Sequence, residues 1–397
     1  MPLSSWNIMN RNIYLLFTIL IFISCGTSNS PFIKNKDWIN QQPSSSIQKE
    51  HTIWLIGDSG YLDDKLNESN YVVDGMVSMI DPEDTSSTII FLGDNIYPDG
   101  MVEENHPFRK DAESILKGQI IPLEHLKSQV FFIPGNHDWN SSKSGGRDAV
   151  ILQERFLENY FLEKEISFIP DNSCGDPQVR ELNDQLVIIF IDSHWFLHDW
   201  TKEIEMNKGC ELQSREELFP ALENLFIKYK DHQVVLAMHH PIKTNGLHGG
   251  NFPLKDHIFP LNHYKIWLPL PIIGSTYPLY KKIFGSHQDV TNKTNQKLIN
   301  TIKDIAHKFS DDCIFVSGHD HGLQYFEEDN LQFIVSGSGA KTDHVKTGGE
   351  ALYARSSRGF AKIDFYINGD TWVEFYTLSG AGMQPILEYR HPINTSN

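Results

Sequence analysis

The chain has 397 residues, 40% hydrophobic and 21% charged, which is enough for one large globular domain or two ordinary ones. Its formal net charge is −17, with 51 acidic against 34 basic residues and no basic run, which excludes the electrostatic footprint of a nucleic-acid binder. Histidine is abundant, at 18, so the placement of these metal-binding and acid–base groups matters most.

The N-terminal stretch RNIYLLFTILIFISCG joins a basic residue, an apolar run from Ile13 to Ile23, and Ser24-Cys25-Gly26. The run is too short to span a bilayer and fits the apolar region of a secretory signal. A short buried helix is the alternative, but a polar, Asn/Ser/Pro-rich stretch follows to about Ser46. The ending FISC resembles a bacterial lipoprotein signal, and Met9 is an alternative start. That resemblance implies a signal peptide over 1–24, lipid on Cys25, a flexible linker over 25–50, and residence in the periplasm or outer membrane.

Six apolar, β-rich runs follow: HTIWLIG, STIIFLG, QVFFIPG, QLVIIFID, HQVVLAMH and CIFVSGH. Helical periodicity lies between them, as in GRDAVILQERFLENYF and SREELFPALENLFIKYK. Near-continuous apolar strands alternating with helices predict α/β sheets covered by helices. After Gly322 the pattern becomes antiparallel, with hairpins in LQYFEEDNLQFIVSGSG and RGFAKIDFYINGDTWVEFYTL, the second turning at Asn368-Gly369-Asp370. The main domain is expected over 51–380, with a tail over 381–397. Residues 249–292 form an insertion rich in Pro and aromatics without clear periodicity. It is too apolar for disorder and reads as a local subdomain, with a lid or a membrane-facing patch as alternatives. Cys174 and Cys210 lie in loop-like stretches and are expected to pair, an arrangement that export permits. Cys313 opens an apolar strand and is expected to be a buried thiol.

Each major apolar run ends in groups that bind metal or phosphate. LIGDSG supplies Asp58; FLGDNIY supplies Asp94 and Tyr97; IPGNHDW supplies Asn136 and His137; LAMHHP supplies His239 and His240; VSGHDHGLQY supplies His319 and His321. Singly these are ordinary turn residues. Together, in order, each closing a strand, they point to the ligand crevice at the carboxyl ends of an α/β sheet. On an extended backbone, His319 and His321 face one way.

These five blocks resemble the calcineurin-like metallophosphoesterases, and GDNIY and GHDHGLQY are similar to the small purple acid phosphatases, over about Thr52 to Ile367. The resemblance implies a two-sheet sandwich flanked by helices, with two metal ions at the strand ends. It implies Asp58, Asp94, Tyr97 and His321 on the first ion, and Asp94, Asn136, His239 and His319 on the second. Carboxylate and phenolate oxygens suit Fe(III), and imidazoles suit a divalent ion (Fe, Zn or Mn). The implied reaction is hydrolysis of a phosphomonoester on a small phosphorylated molecule by a metal-bound hydroxide. His137 would contact phosphate, with Asp138 beside it to orient the imidazole and keep it cationic. His248, nine residues after His239, matches a site histidine of the small enzymes. His240 precedes a proline and is the weaker ligand of its pair. A phosphodiesterase or nucleotide pyrophosphatase could use the same core. The insertion also resembles segments of outer-membrane proteins, some fused to a barrel. That leaves an outer-membrane partner open, and with it a third reading, an assembly module retaining the fold.

Overall fold

The computed structural model describes residues 30–62, 70–160, 166–310 and 312–394. The signal peptide and Cys25 lie outside the described residues. The first strands in chain order are β1 (Phe32–Ile33), β2 (Lys49–Ile56), β3 (Ser87–Phe91), β4 (Gln129–Phe132) and β5 (Ile166–Phe168). β6 (Gln178–Glu181), β7 (Leu186–Phe190), β8 (Gln233–Ala237) and β9 (Ile314–Ser317) follow. The antiparallel part adds β10 (Leu323–Glu328), β11 (Leu331–Ser336), β12 (Tyr353–Arg355), β13 (Gly359–Tyr366), β14 (Thr371–Thr377) and β15 (Ile386–Asn394).

They form two sheets, in the orders β1-β12-β10-β11-β9-β8-β7-β6 and β15-β14-β13-β2-β3-β4-β5. β2 to β5 run parallel, as do β7, β8, β9 and β11. Side-chain alternation explains why the apolar runs are continuous. Ile53 and Leu55 pack in one buried layer with Ile188, Val235, Val316 and Ile334 of the other sheet. Trp54 and Ile56 face the opposite way, into a second layer built with helix residues such as Val72, Met76, Leu222 and Ile302. Strands buried on both faces have no polar face to show. The fold is an α/β two-sheet sandwich flanked by helices, and both expected hairpins form, as β10–β11 and β13–β14.

Cys174 and Cys210 form a disulfide and Cys313 is buried and free. Two domain boundaries need correction. The expected tail contains β15, which pairs along β14 at a sheet edge. The expected linker contains β1, which pairs with β12, and the first residues of β2. Both segments were short of helical or hydrophobic signal because edge strands keep one side exposed, and the ladder partner holds them in place.

Candidate metal centre

Every expected ligand sits just past the carboxyl end of a parallel strand. Asp58 follows β2, Asp94 and Tyr97 follow β3, Asn136 follows β4, His239 follows β8, and His319 and His321 follow β9. The first three strands belong to one sheet and the last two to the other, so the site lies where the two sheets meet. Three of these residues adopt left-handed backbone that non-glycine residues rarely take: Asp58 (φ 57°), Asp94 (φ 55°) and His319 (φ 68°). Such strain persists where its surroundings fix it, and here it aims three donor groups at one place. Gly93 makes the convergence feasible. Its φ is 89°, and a Cβ there would lie 2.6 Å from His239 Nδ1.

The donors fall into two clusters. In the first, Tyr97 Oη lies 3.0 Å from Asp58 Oδ1, 3.1 Å from Asp94 Oδ2 and 3.1 Å from His321 Nε2. In the second, His239 Nε2 lies 3.1 Å from Asn136 Oδ1, 3.2 Å from His319 Nδ1 and 3.4 Å from Asp94 Oδ1. Asp94 thus turns one oxygen to each cluster. Its Oδ1 also accepts the His137 backbone N–H at 2.8 Å.

The donor chemistry fits cations. His239 Nδ1 donates to the Leu92 carbonyl at 2.7 Å, so in the neutral ring Nε2 presents a lone pair. That lone pair meets an amide oxygen and a carboxylate, and only His319 can offer it a proton. Burial, then the neighbouring His248, His240 and His239, lower the His319 pKa well below the usual imidazole value. Its Nε2 is buried without a hydrogen-bond partner. In the first cluster, the Tyr97 hydroxyl and the His321 ring meet the Asp58 and Asp94 carboxylates. Burial, with Asp58 and Asp94, pushes the Tyr97 phenol well above its usual value. Burial pulls His321 down, but Asp343 and Asp58 outweigh it and raise the ring to about 10. An ion entering here would displace the phenol and imidazole protons.

His321 Nδ1 pairs with Asp343 Oδ2 at 2.5 Å, the carboxylate–histidine arrangement that fixes a ligating ring. The three residues expected to meet substrate are placed as follows. His137 packs tilted against Tyr97, with centroids 4.4 Å apart, and its Nδ1 contacts the Pro98 carbonyl at 2.5 Å. His248 lies against His319, with centroids 3.8 Å apart, and its Nδ1 meets Asp289 Oδ1 at 2.8 Å. Asp138 needs correction: it does not orient the His137 ring. Its buried carboxylate accepts N–H groups from Asn95, Ile96 and Gly135, tying the Asp94 loop to the Asn136 loop. Backbone amides clustered at the two strand ends outcompete the adjacent ring for that carboxylate. His240 Nδ1 pairs with Ser193 Oγ at 2.8 Å, and its ring packs beside His319.

No protein-family model matches the chain. It is 22% identical over 290 residues to Purple acid phosphatase 3 of Arabidopsis thaliana, covering 72% of this chain and 62% of that protein. It is 22% identical over 331 residues to Purple acid phosphatase 7 of the same plant, covering 83% and 80%. The chain is thus similar to purple acid phosphatases over most of its length. The solved structure described as "GAP50 the anchor in the inner membrane complex of Plasmodium" shares the fold, with a TM-score of 0.53 and 17% identity over 88% of this chain and 90% of that one.

Four residues beside the donors are not among those expected from the sequence. Asp343 and Asp289 orient His321 and His248 from distant loops. Asp320, between the two ligand histidines, accepts from Thr244 Oγ1 at 2.5 Å and from the His248 backbone N–H at 3.2 Å, so it shapes the loop that carries His248. The Lys341 ammonium lies 3.2 Å from the Tyr97 ring centroid. Asp320 alone lies inside one of the recognised blocks, VSGHDHGLQY; His319 takes left-handed backbone, so this stretch is not extended, and His319 and His321 enter different clusters.

Proposed function

We propose that the chain is an exported phosphomonoesterase with a binuclear centre. Asp58, Asp94, Tyr97 and His321 would hold Fe(III), and Asp94, Asn136, His239 and His319 a divalent ion. The observation that carries this reading is the two-sided use of Asp94, with Oδ2 among the phenol and carboxylate donors and Oδ1 among the imidazoles. When bound, the two ions would neutralise phosphate oxygens and turn water into a nucleophile at mild pH.

The chain's own residues supply the rest. The His137 ring donates through Nδ1 to a carbonyl, and in its imidazolium form it would also donate through Nε2 to a phosphate oxygen. The His248 ring is likewise held through Nδ1, by Asp289. Burial pushes Asp289 up, but His248 and Lys281 outweigh it and hold the carboxyl at about 2, so it remains an anion. With Nδ1 so held, the imidazolium form of His248 would use Nε2 to anchor the phosphate or protonate the leaving oxygen. Lys341 adds a cation beside Tyr97. Three donors suit a phosphate dianion better than a diester with its single charge. The Cys174–Cys210 disulfide supports an oxidising compartment, in keeping with lipid attachment through Cys25. The test is an aryl phosphomonoester assayed against its diester across pH, with metal content measured on the same protein. A higher kcat/KM for the monoester is expected. Preference for the diester would overturn the substrate class while leaving the metal centre standing.

A further inference from the structure

Among the described residues, 22 large hydrophobic side chains are exposed, and 12 of them lie between Leu254 and Phe284. Ile272 is 86% exposed, Tyr264 77%, Leu254 69% and Trp267 64%. Singly exposed apolar residues are ordinary, but such a concentration is not. The segment is locally ordered rather than loose. Leu270 N–H donates to the Ile258 carbonyl at 2.7 Å, Phe259 packs edge-on against Trp267, and the short helices Leu254–Ile258 and Thr276–Ile283 bracket these turns. Among its described residues only Asp256, Gly274 and Pro278 are buried.

Its charge decides what would cover the apolar side chains. Residues 249–285 carry four lysines against one aspartate, a net +3 within a chain of net −17. The aspartate, Asp256, is buried, whereas Lys255, Lys265 and Lys282 are exposed. Trp and Tyr rings beside aliphatic tips and long lysine stems are the chemistry of a bilayer interface. The rings sit at headgroup level, the aliphatic tips enter the acyl region, and the ammoniums reach anionic headgroups. A protein partner would need no local reversal of sign.

We propose that residues 254–284 form an interfacial docking surface for an anionic lipid bilayer. It is a contact separate from lipid attachment at Cys25. It also touches the metal centre's surroundings, because Lys281 of this segment pairs with Asp289, the partner of His248.

The test uses the full chain with vesicles of phosphatidylethanolamine and phosphatidylglycerol, some of the lipid brominated on its acyl chains. Brominated lipid should quench a fluorescence component that Trp267→Phe removes, which reports this surface whatever the N-terminus does. Lys265→Glu and Lys282→Glu should each weaken binding to these vesicles about five-fold, with little effect on phosphatidylcholine vesicles. Unchanged aryl phosphatase activity and metal content in these variants would show that they fold. Equal quenching in wild type and Trp267→Phe would overturn the proposal. So would a vesicle-independent dimer, dissociated by Ile272→Glu, which would assign the surface to a second copy.

Discussion

His248 Nδ1 lies 2.8 Å from Asp289 Oδ1, and the two residues bracket the exposed apolar segment 254–284. The insertion leaves the fold beside a site histidine and returns with the carboxylate that orients it. Asp289 is held by Lys281, Ser286 and His248 together, so its position is over-determined. Asp289→Asn should therefore lower kcat roughly ten-fold or more while metal content stays unchanged. Asp289→Glu should restore part of the rate. If Asp289→Asn turns over like wild type, His248 needs no oriented ring.

The ligand and substrate roles separate in a second comparison. Asn136→Ala and His319→Ala each remove a donor from the imidazole cluster, and the purified proteins should contain less metal, with activity falling in proportion. His137→Ala leaves both clusters intact, so it should keep its metal and lose turnover by about a hundred-fold, the usual scale for a positioned donor. A His137→Ala protein with full metal and full rate would remove that ring from the chemistry.

Tyr97 gives a spectroscopic prediction. A phenolate on Fe(III) absorbs visible light by ligand-to-metal charge transfer, so protein purified in air should be pink to purple. Tyr97→Phe deletes one oxygen from a buried ring and should abolish the colour with the fold retained. Asp94→Asn weakens both clusters and should abolish activity as well. A coloured Tyr97→Phe protein would place the chromophore elsewhere.

Stability should respond to pH through His51. Its Nε2 lies 2.9 Å from Thr88 Oγ1 in the buried sheet, and burial, opposed by Asp84, lowers its pKa to about 4. The folded value lies below the unfolded one, so the neutral ring stabilises the native state above about pH 6.5. That contribution is lost as pH falls towards 4. The upper limit is about 3 kcal/mol, at ~1.36 kcal/mol per pH unit. His51→Gln should flatten this part of the difference in thermal midpoint between about pH 7 and pH 4.5. Parallel curves for the two proteins would show that His51 does not carry it.

The candidate ligands were legible because each is tied to a repeated local event: an apolar strand ending in a donor, with a glycine just before Asp58, Asp94, Asn136 and His319 though not before His239. That event leaves the same trace at Asp58, Asp94, Asn136, His239 and His319, and the sheets only have to bring the five ends together. The groups that orient the ligands leave no such trace. Asp343 reaches His321 across 22 residues that include the β10–β11 hairpin and Asp289 reaches His248 across 41, and no periodicity encodes either pairing. Asp138 misled for the converse reason. It is adjacent to His137 in sequence, but its carboxylate is drawn to the unpaired amides of two strand ends. The edge strands β1 and β15 were invisible because short, half-exposed strands are defined by the partner they pair with, and those partners lie elsewhere in the chain.

The most direct measurement is metal stoichiometry joined to turnover on one preparation of the full chain. The protein should carry two metal ions per chain, one of them iron, and hydrolyse an aryl phosphomonoester. Chelation should remove both ions and the activity, and iron with a divalent ion should restore them. Hydrolysis that persists at full rate in the metal-free protein, or a protein with all seven ligands intact that binds no metal, would contradict the account.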